Sequence, residues 1–259
     1  MRIARFTLGE DPAYGVVEQE GDDLVVAQIG GDPIYQQIAF TGQRYPLDDV
    51  RLLSPVIPRS KVIGIGRNYA DHAKEMGNEL PTEPLMFMVP NTAVSGPGDP
   101  VPMLATSSNI HYEGELAVVI GKMVRAVEPE LALATVFGYT CANDVTVADI
   151  IQRDPTFPQW ARAKGFDTFC PFGPVVATGL DPAMLVVRTM LNSEVRQDYP
   201  VNDMVFPVQK LVSMISRDMT LYPGDMILCG TSVGVGSMKP GSIVEVEIGG
   251  IGKLRNRFE

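Results

Sequence analysis

Short apolar runs broken by turn residues dominate this chain, and stretches with helical period are few. Ile3–Leu8, Tyr14–Glu18 and Leu24–Ile29 are β-prone, and Gly9-Glu10-Asp11-Pro12 and Glu20-Gly21-Asp22-Asp23 supply turn chemistry between them. A segment with Pro46, Pro55 and Pro58 follows and reads as loose from Gly42 to Pro58. Beyond it Lys61–Ile65, Leu85–Val89 and Glu115–Ile120 have the length and apolarity of buried strands. Near the end Val244, Val246 and Ile248 alternate with Glu245 and Glu247, a strand with one wet face. Tyr222-Pro223-Gly224-Asp225 and Lys239-Pro240-Gly241-Ser242 place Pro-Gly at the centre of tight turns.

Helical signals are local. Asn68–Met76 reads as a short helix that Asn68 can cap and Gly77 can stop. Glu130–Val136 and Val145–Arg153 are two further candidates. Pro207–Ile215 is a fourth, with Val208, Leu211, Val212 and Ile215 at helical spacing. Regular β-α-β alternation is missing, which argues against a doubly wound sheet. The pattern predicts an α+β, β-dominated fold, with a small N-terminal β domain over residues 1–56 and a larger domain over 57–259.

Composition narrows the function. The 259 residues include 31 acidic and 21 basic side chains, a formal net charge of −10. That argues against nucleic acid or an anionic membrane as a partner, but leaves room for a small anionic substrate. No stretch approaches the roughly 18 consecutive apolar residues of a membrane span, and the first residues show no signal-peptide core. Cys141, Cys170 and Cys229 are far apart and form no C-x-x-C, so a cytoplasmic location with buried thiols is expected. His72 and His111 are the two histidines, too few for a three-His zinc site.

Two motifs are decoys. Gly230-Thr231-Ser232-Val233-Gly234 fits G-x-S-x-G, but glycines and a proline follow where a helix should start, and both histidines precede Ser232. Gly64-Ile65-Gly66 lacks the third glycine of a dinucleotide fingerprint and reads as a turn after a strand.

Four clusters could carry chemistry. Glu113 and Glu115, in His111-Tyr112-Glu113-Gly114-Glu115-Leu116, are i and i+2 on a strand and share a face. Adjacent carboxylates repel unless a cation sits between them, and an all-oxygen site suits a hard divalent ion; a solvated strand face is the alternative. Asp144 is a plain N-cap or a third oxygen ligand. His72 and Glu75, at i and i+3, form either an exposed helix pair or a general base with its orienting carboxylate. Lys164 is a snorkelling surface lysine or an electrostatic anchor for a developing oxyanion.

Several blocks in order resemble the fumarylacetoacetate hydrolase family in its short bacterial form. They are Ile63-Gly-Ile-Gly-Arg-Asn-Tyr-Ala-Asp-His72, Tyr112-Glu-Gly-Glu-Leu-Ala-Val-Val-Ile-Gly121, Gly138-Tyr-Thr-Cys-Ala-Asn-Asp-Val-Thr146 and Arg162-Ala-Lys-Gly-Phe-Asp-Thr-Phe-Cys-Pro171, with Pro223-Gly-Asp and Gly250-Ile-Gly-Lys-Leu-Arg-Asn256 further on. The resemblance covers about residues 57–259. It implies a mixed β-roll with short flanking helices, a homodimer, and Mg²⁺ or Mn²⁺ on Glu113, Glu115 and Asp144. It places the lid dyad on His72 and Glu75, the active-site lysine on Lys164, and substrate contacts on Arg67 and Thr231. The implied activity is cleavage of a C–C bond, by hydrolysis or decarboxylation, in a 2-oxo acid of acylpyruvate or oxaloacetate type. Isomerisation or hydration of a 2-hydroxydienoate in aromatic catabolism is the alternative, and a metal- and ligand-binding member without turnover is another. The sequence departs from the family pattern at Val89, where Phe-x-Lys-Pro has lysine, at Ala148 and Ile151, where arginine and glutamine are usual, and at Ser232 after Gly-Thr.

Overall fold

The computed structural model describes residues 1–104, 107 and 109–259. The N-terminal strands are β1 (Arg2–Thr7), β2 (Ala13–Glu20), β3 (Asp23–Ile29), β4 (Phe40–Pro46) and β5 (Arg51–Leu53). Next come β6 (Val62–Gly66), helix α1 (Ala70–Glu75), β7 (Leu85–Val89) and β8 (Val94–Ser95). The middle of the chain holds β9 (Ile110–Tyr112), β10 (Gly114–Ile120), α2 (Pro129–Ala132), β11 (Val136–Asn143), β12 (Thr146–Val147), α3 (Ala148–Ile151), α4 (Trp160–Lys164) and β13 (Cys170–Ala177). The last third adds β14 (Val186–Leu191), β15 (Glu194–Pro200), α5 (Val208–Asp218), β16 (Met226–Leu228), β17 (Gly236–Ser237), β18 (Ile243–Ile248) and β19 (Gly252–Arg257). Strand outweighs helix, 42% to 18%, so the fold is α+β and β-dominated.

The largest sheet runs β4-β3-β2-β1-β13-β11-β10-β16-β6-β7, with β5 beside β1 and β8 beside β13. It is mixed: β16 pairs parallel to β6, whereas β10 pairs antiparallel to both β11 and β16. A four-stranded sheet, β15-β14-β18-β19, and a three-stranded one, β12-β9-β17, complete the roll. β10 is buried along its whole length, as its unbroken Leu-Ala-Val-Val-Ile run requires. The N-terminal unit continues the main sheet, because Ile3 on β1 lies opposite Val176 on β13. Ala4, Phe6, Val17 and Val26 share one apolar cluster with Leu116 and Val118.

Some local expectations change. Gly42–Pro58 is not loose throughout, since β4 and β5 both enter it. Tyr45 packs on Phe6 with ring centroids 5.8 Å apart, while Arg44 reaches Glu18 and Glu20 on the wet face. Glu130–Val136 is one turn of α-helix and one of 3-10 helix, and Val136 already opens β11. In Val145–Arg153 the β-branched start wins: Thr146 and Val147 pair with β9, leaving the helix only Ala148–Ile151. The helix from Pro207 continues to Asp218 and buries Val208, Leu211, Val212 and Ile215, the expected stripe.

Asn68 does not cap α1. Its side chain is buried, donating to the carbonyls of Phe206 and Cys229 and accepting from the Phe206 N–H, so it joins three chain segments. Gly77, at φ 67°, does end the helical segment. The three cysteines are free and buried. No helix among the described residues is long and apolar enough to cross a membrane.

Candidate active site

The hairpin of β10 and β11 builds the charged centre. Gly114 lies opposite Asn143 in the ladder, so Glu113 and Asp144 emerge beside each other at its open end. The Asp144 N–H donates to the Glu113 carbonyl at 2.9 Å, and the Glu113 N–H to Asn143 Oδ1 at 2.9 Å. Glu113 thus stands at a break between β9 and β10, rather than within one strand as the i, i+2 spacing suggests. The residue between the two glutamates must be glycine, because a Cβ on Gly114 would lie 1.9 Å from Thr189 Oγ1.

Each carboxylate is held differently. Glu115 is 2% exposed and accepts the Gly230 N–H at 2.7 Å. Glu113 Oε1 accepts the Thr146 hydroxyl at 2.7 Å. Lys164, on α4 and 1% exposed, donates to Asp144 Oδ2 at 2.7 Å, Glu113 Oε2 at 2.9 Å and Thr146 Oγ1 at 2.6 Å. Lys164 is therefore a buried ion-pair partner, not a snorkelling surface residue. Asp144 is a buried site carboxylate, not a helix cap, and its second oxygen, Oδ1, is buried with no hydrogen-bond partner.

The electrostatics are unbalanced. Burial raises the Glu115 carboxyl well above its ordinary range, and the neighbouring Asp144 charge adds to this. Burial pushes Asp144 up to about 6, although Lys164 opposes the shift. Burial alone would lower the Lys164 ammonium, but the charges of Asp144 and Glu113 outweigh it and leave the group raised. Ionising all three carboxylates against one ammonium would leave two negative charges uncompensated, which is why burial favours keeping protons on Glu115 and Asp144. Ligand oxygens of Glu113, Glu115 and Asp144 all lie within 4.8 Å of one another, so the three could hold a metal ion. The unpartnered Asp144 oxygen and the all-oxygen donor set fit a hard divalent cation.

A cavity of about 540 Å³ opens on this centre and is lined by all eight sequence-predicted residues: Arg67, His72, Glu75, Glu113, Glu115, Asp144, Lys164 and Thr231. His72 Nδ1 and Glu75 Oε2 are 3.2 Å apart, with the glutamate half exposed, so the contact orients the imidazole more than it stabilises the fold. Arg67 adopts φ 55° between β6 and α1 and adds a second cation to the wall. Thr231 is more occupied than expected. Its hydroxyl donates to the Gly114 carbonyl at 2.9 Å and accepts from Gln197 Nε2 at 2.8 Å.

Several contributors were not anticipated from the sequence. Gln197 Oε1 accepts the Gly114 N–H at 3.1 Å, so one amide holds both the Glu113-Gly114-Glu115 turn and Thr231. Thr146 and Asn143 fix Glu113. His111 lines the cavity, where burial lowers its pKa. Of the departures from the family pattern, Ala148 and Ile151 do lie on the cavity wall, with Gln152 beside them. Val89 instead belongs to the apolar core, and the Ser232 carbonyl accepts from Gln197.

The chain is similar to known proteins along its whole length. Residues 61–259 match the fumarylacetoacetate (FAA) hydrolase C-terminal family, and residues 1–55 match the Rv2993c-like N-terminal family. Protein Rv2993c of Mycobacterium tuberculosis is 43% identical over 262 residues, covering 99% of this chain and 97% of its own. Oxaloacetate tautomerase FAHD2A, mitochondrial, of Bos taurus is 39% identical over 222 residues, covering 82% of this chain and 70% of its own. The crystal structure of 5-carboxymethyl-2-hydroxymuconate delta-isomerase from Mycobacterium smegmatis superimposes with a TM-score of 0.91 at 41% identity, covering 100% of this chain and 99% of that one. The chain belongs to the fumarylacetoacetate hydrolase family of enzymes.

Proposed function

We propose that this protein is a Mg²⁺- or Mn²⁺-dependent enzyme that moves a proton on a small 2-oxo acid, interconverting keto and enol or dienol forms. The observation behind this reading is that one cavity joins a carboxylate cluster suited to a divalent ion to a His–Glu pair suited to proton transfer. The names of the tautomerase and isomerase relatives point the same way. Glu113, Glu115 and Asp144 would hold the ion. When bound, it supplies Lewis-acid stabilisation of the negative charge that develops on the substrate's 2-oxygen.

The chain's own groups do the rest. Lys164 stays protonated beside Asp144 and Glu113 and adds positive charge at the same end of the cavity. Arg67 offers its guanidinium to a substrate carboxylate. His72, with Nδ1 turned to Glu75, has Nε2 left to accept the proton from the carbon next to the 2-oxo group and deliver it to the 2-oxygen, giving the enol, or to carry it the opposite way from an enol or dienol oxygen to carbon. Cleavage of a C–C bond, by hydrolysis or decarboxylation, is the second reading. It draws on the match to a hydrolase family, with His72 taking a proton from water instead of carbon.

A product-resolved assay separates the two. Oxaloacetate, acetylpyruvate and a 2-hydroxydienoate are incubated with Mg²⁺, Mn²⁺ or EDTA. Proton exchange and enol–keto conversion should be metal-dependent and exceed release of pyruvate, acetate or CO₂. His72→Ala should lower kcat by about 10²–10⁴-fold while metal affinity is retained. Cleavage products in excess would favour the second reading, and metal-independent rates for every compound would refute both.

A further inference from the structure

A second cavity, about 520 Å³, adjoins the catalytic one, and the two share Arg67, Phe87 and Trp160 as a common wall. That wall is seated on bare backbone. A Cβ on Gly64 would lie 2.1 Å from the Phe87 ring, and one on Gly66 2.6 Å from the Trp160 ring, so both rings rest in the side-chain space that β6 leaves open. The rings are 5.5 Å apart, and Phe87 has its face 5.3 Å from Lys164 Nζ. The wall therefore touches the charged centre on one side.

On its other side the cavity is mostly apolar, with Gln159 and Arg162 as its polar members. Met86, Met88 and Phe157 line it, and they are 37%, 43% and 68% exposed. Large apolar side chains gathered around a concavity, beside a site that takes small molecules, suit a ligand that brings its own apolar surface. Both cavities border Arg67, so a substrate held at the carboxylate cluster and Arg67 would reach this second cavity by extending past the two rings.

We propose that the second cavity is the subsite for an apolar, aryl-sized arm on the carbon chain of the 2-oxo acid. The protein then favours 2-oxo acids with such an arm over compact dicarboxylates like oxaloacetate. The proposal deepens the functional reading above and rests on it for the reacting end of the substrate. The binding of the arm itself can be read without turnover, because Trp160 is the single tryptophan in the chain and lies in the shared wall.

The test has two arms, each on wild type, Met86→Glu and Phe157→Ser. In the kinetic arm, kcat/KM for keto–enol conversion is measured for phenylpyruvate and oxaloacetate with Mn²⁺. In wild type the ratio should favour phenylpyruvate at least tenfold, and both variants should lower that ratio at least tenfold. In the binding arm, 3-phenylpropanoate, which cannot enolise, is titrated against Trp160 emission, with succinate as the compound lacking a ring. A saturable change with 3-phenylpropanoate alone, weakened at least tenfold in either variant that folds, is the expected result. An equal Kd in wild type and variants, or no saturable change, overturns the subsite. If neither acid is turned over but the titration behaves as expected, the functional reading has failed and the subsite stands.

Discussion

Replacing Lys164 by methionine would strip the carboxylate cluster of its one buried cation while roughly keeping side-chain length. Lys164 Nζ makes three bonds, at 2.9, 2.7 and 2.6 Å, and two of them end on carboxylates. Breaking a buried ion pair by removing one partner costs about 3–5 kcal/mol. Protonation offers a way out, and it makes the cost depend on pH. Burial pushes Asp144 up to about 6 from an ordinary 3.8 even with the ammonium opposing it, and without that charge it would rise further. A carboxyl whose pKa is raised on folding keeps a proton that the unfolded chain has released. Its native state therefore loses stability as pH rises from the ordinary value towards the raised one, by about 1.4 kcal/mol for each unit of difference. In EDTA the variant should lose about 3 kcal/mol against wild type at pH 8 and only about 1 kcal/mol at pH 5.5, measured by urea unfolding. Adding Mn²⁺ should stabilise the variant more than the wild type, because three carboxylates would then face the ion with no competing ammonium. A loss that is the same at both pH values, or a smaller Mn²⁺ effect in the variant, would show that Lys164 does not act through charge on this cluster.

Two further outcomes follow from the same geometry. Mn²⁺ affinity, followed by electron paramagnetic resonance of the free ion, should fall as pH drops towards and through about 6, because protons on Asp144 and on the raised Glu115 carboxyl must leave before the ion binds; a flat profile from pH 7.5 to 5 would contradict this. Gln197→Ala removes the acceptor for the buried Gly114 N–H and the donor to Thr231, which should cost about 1–3 kcal/mol in unfolding. It should also weaken Mn²⁺ binding on the order of 10-fold, while Gln197→Glu, which keeps the acceptor, should retain more of both. Equal metal affinity in wild type and Gln197→Ala would mean that the amide does not position the Glu113-Gly114-Glu115 turn.

Charge-bearing residues of the site stand close in sequence to the strands that present them, which is why they were legible. Glu113 and Glu115 lead straight into a doubly buried strand, and Asp144 ends the strand paired with it. Residues that fix those side chains were not legible, because their partners are remote. Asn68 reaches carbonyls 138 and 161 positions away, and Gln197 reaches Gly114 across 83. Gln197 did leave a signal. In β15 it alternates with Tyr199 on the inward phase, and both are buried while Arg196 and Asp198 are exposed. A polar amide in an apolar register must have partners, which is a reason to look for a site behind it. Asn68 misled for a physical reason as well: asparagine before a helix is a good cap, but its amide here satisfies deeper backbone groups whose desolvation would cost more.

The two halves of the cavity are held with different stiffness. Glu113, Glu115 and Asp144 project from a buried hairpin, whereas His72, the Ala148–Ile151 wall and Trp160 sit on α1, α3 and α4, which have six, four and five residues. Helices that short do not persist by themselves and take their position from what they touch. For α4 that anchor is Lys164, whose ammonium binds the hairpin carboxylates while Trp160, one turn earlier on the same helix, forms the shared aromatic wall. Lys164 thus links the carboxylate cluster to the helix that carries Trp160, whose ring also rests over Gly66 and against Phe87. For α1 the corresponding ties are Asn68 and Tyr69 just before it, and neither touches the carboxylates in the hydrogen-bond pattern that fixes them: Asn68 bonds to Phe206 and Cys229, and Tyr69 packs on Tyr199. The helix bearing the proposed base is thus tied to the charged centre at one remove: Tyr199 donates its hydroxyl to the Gly114 carbonyl, and Cys229 precedes the Gly230 N–H that Glu115 accepts.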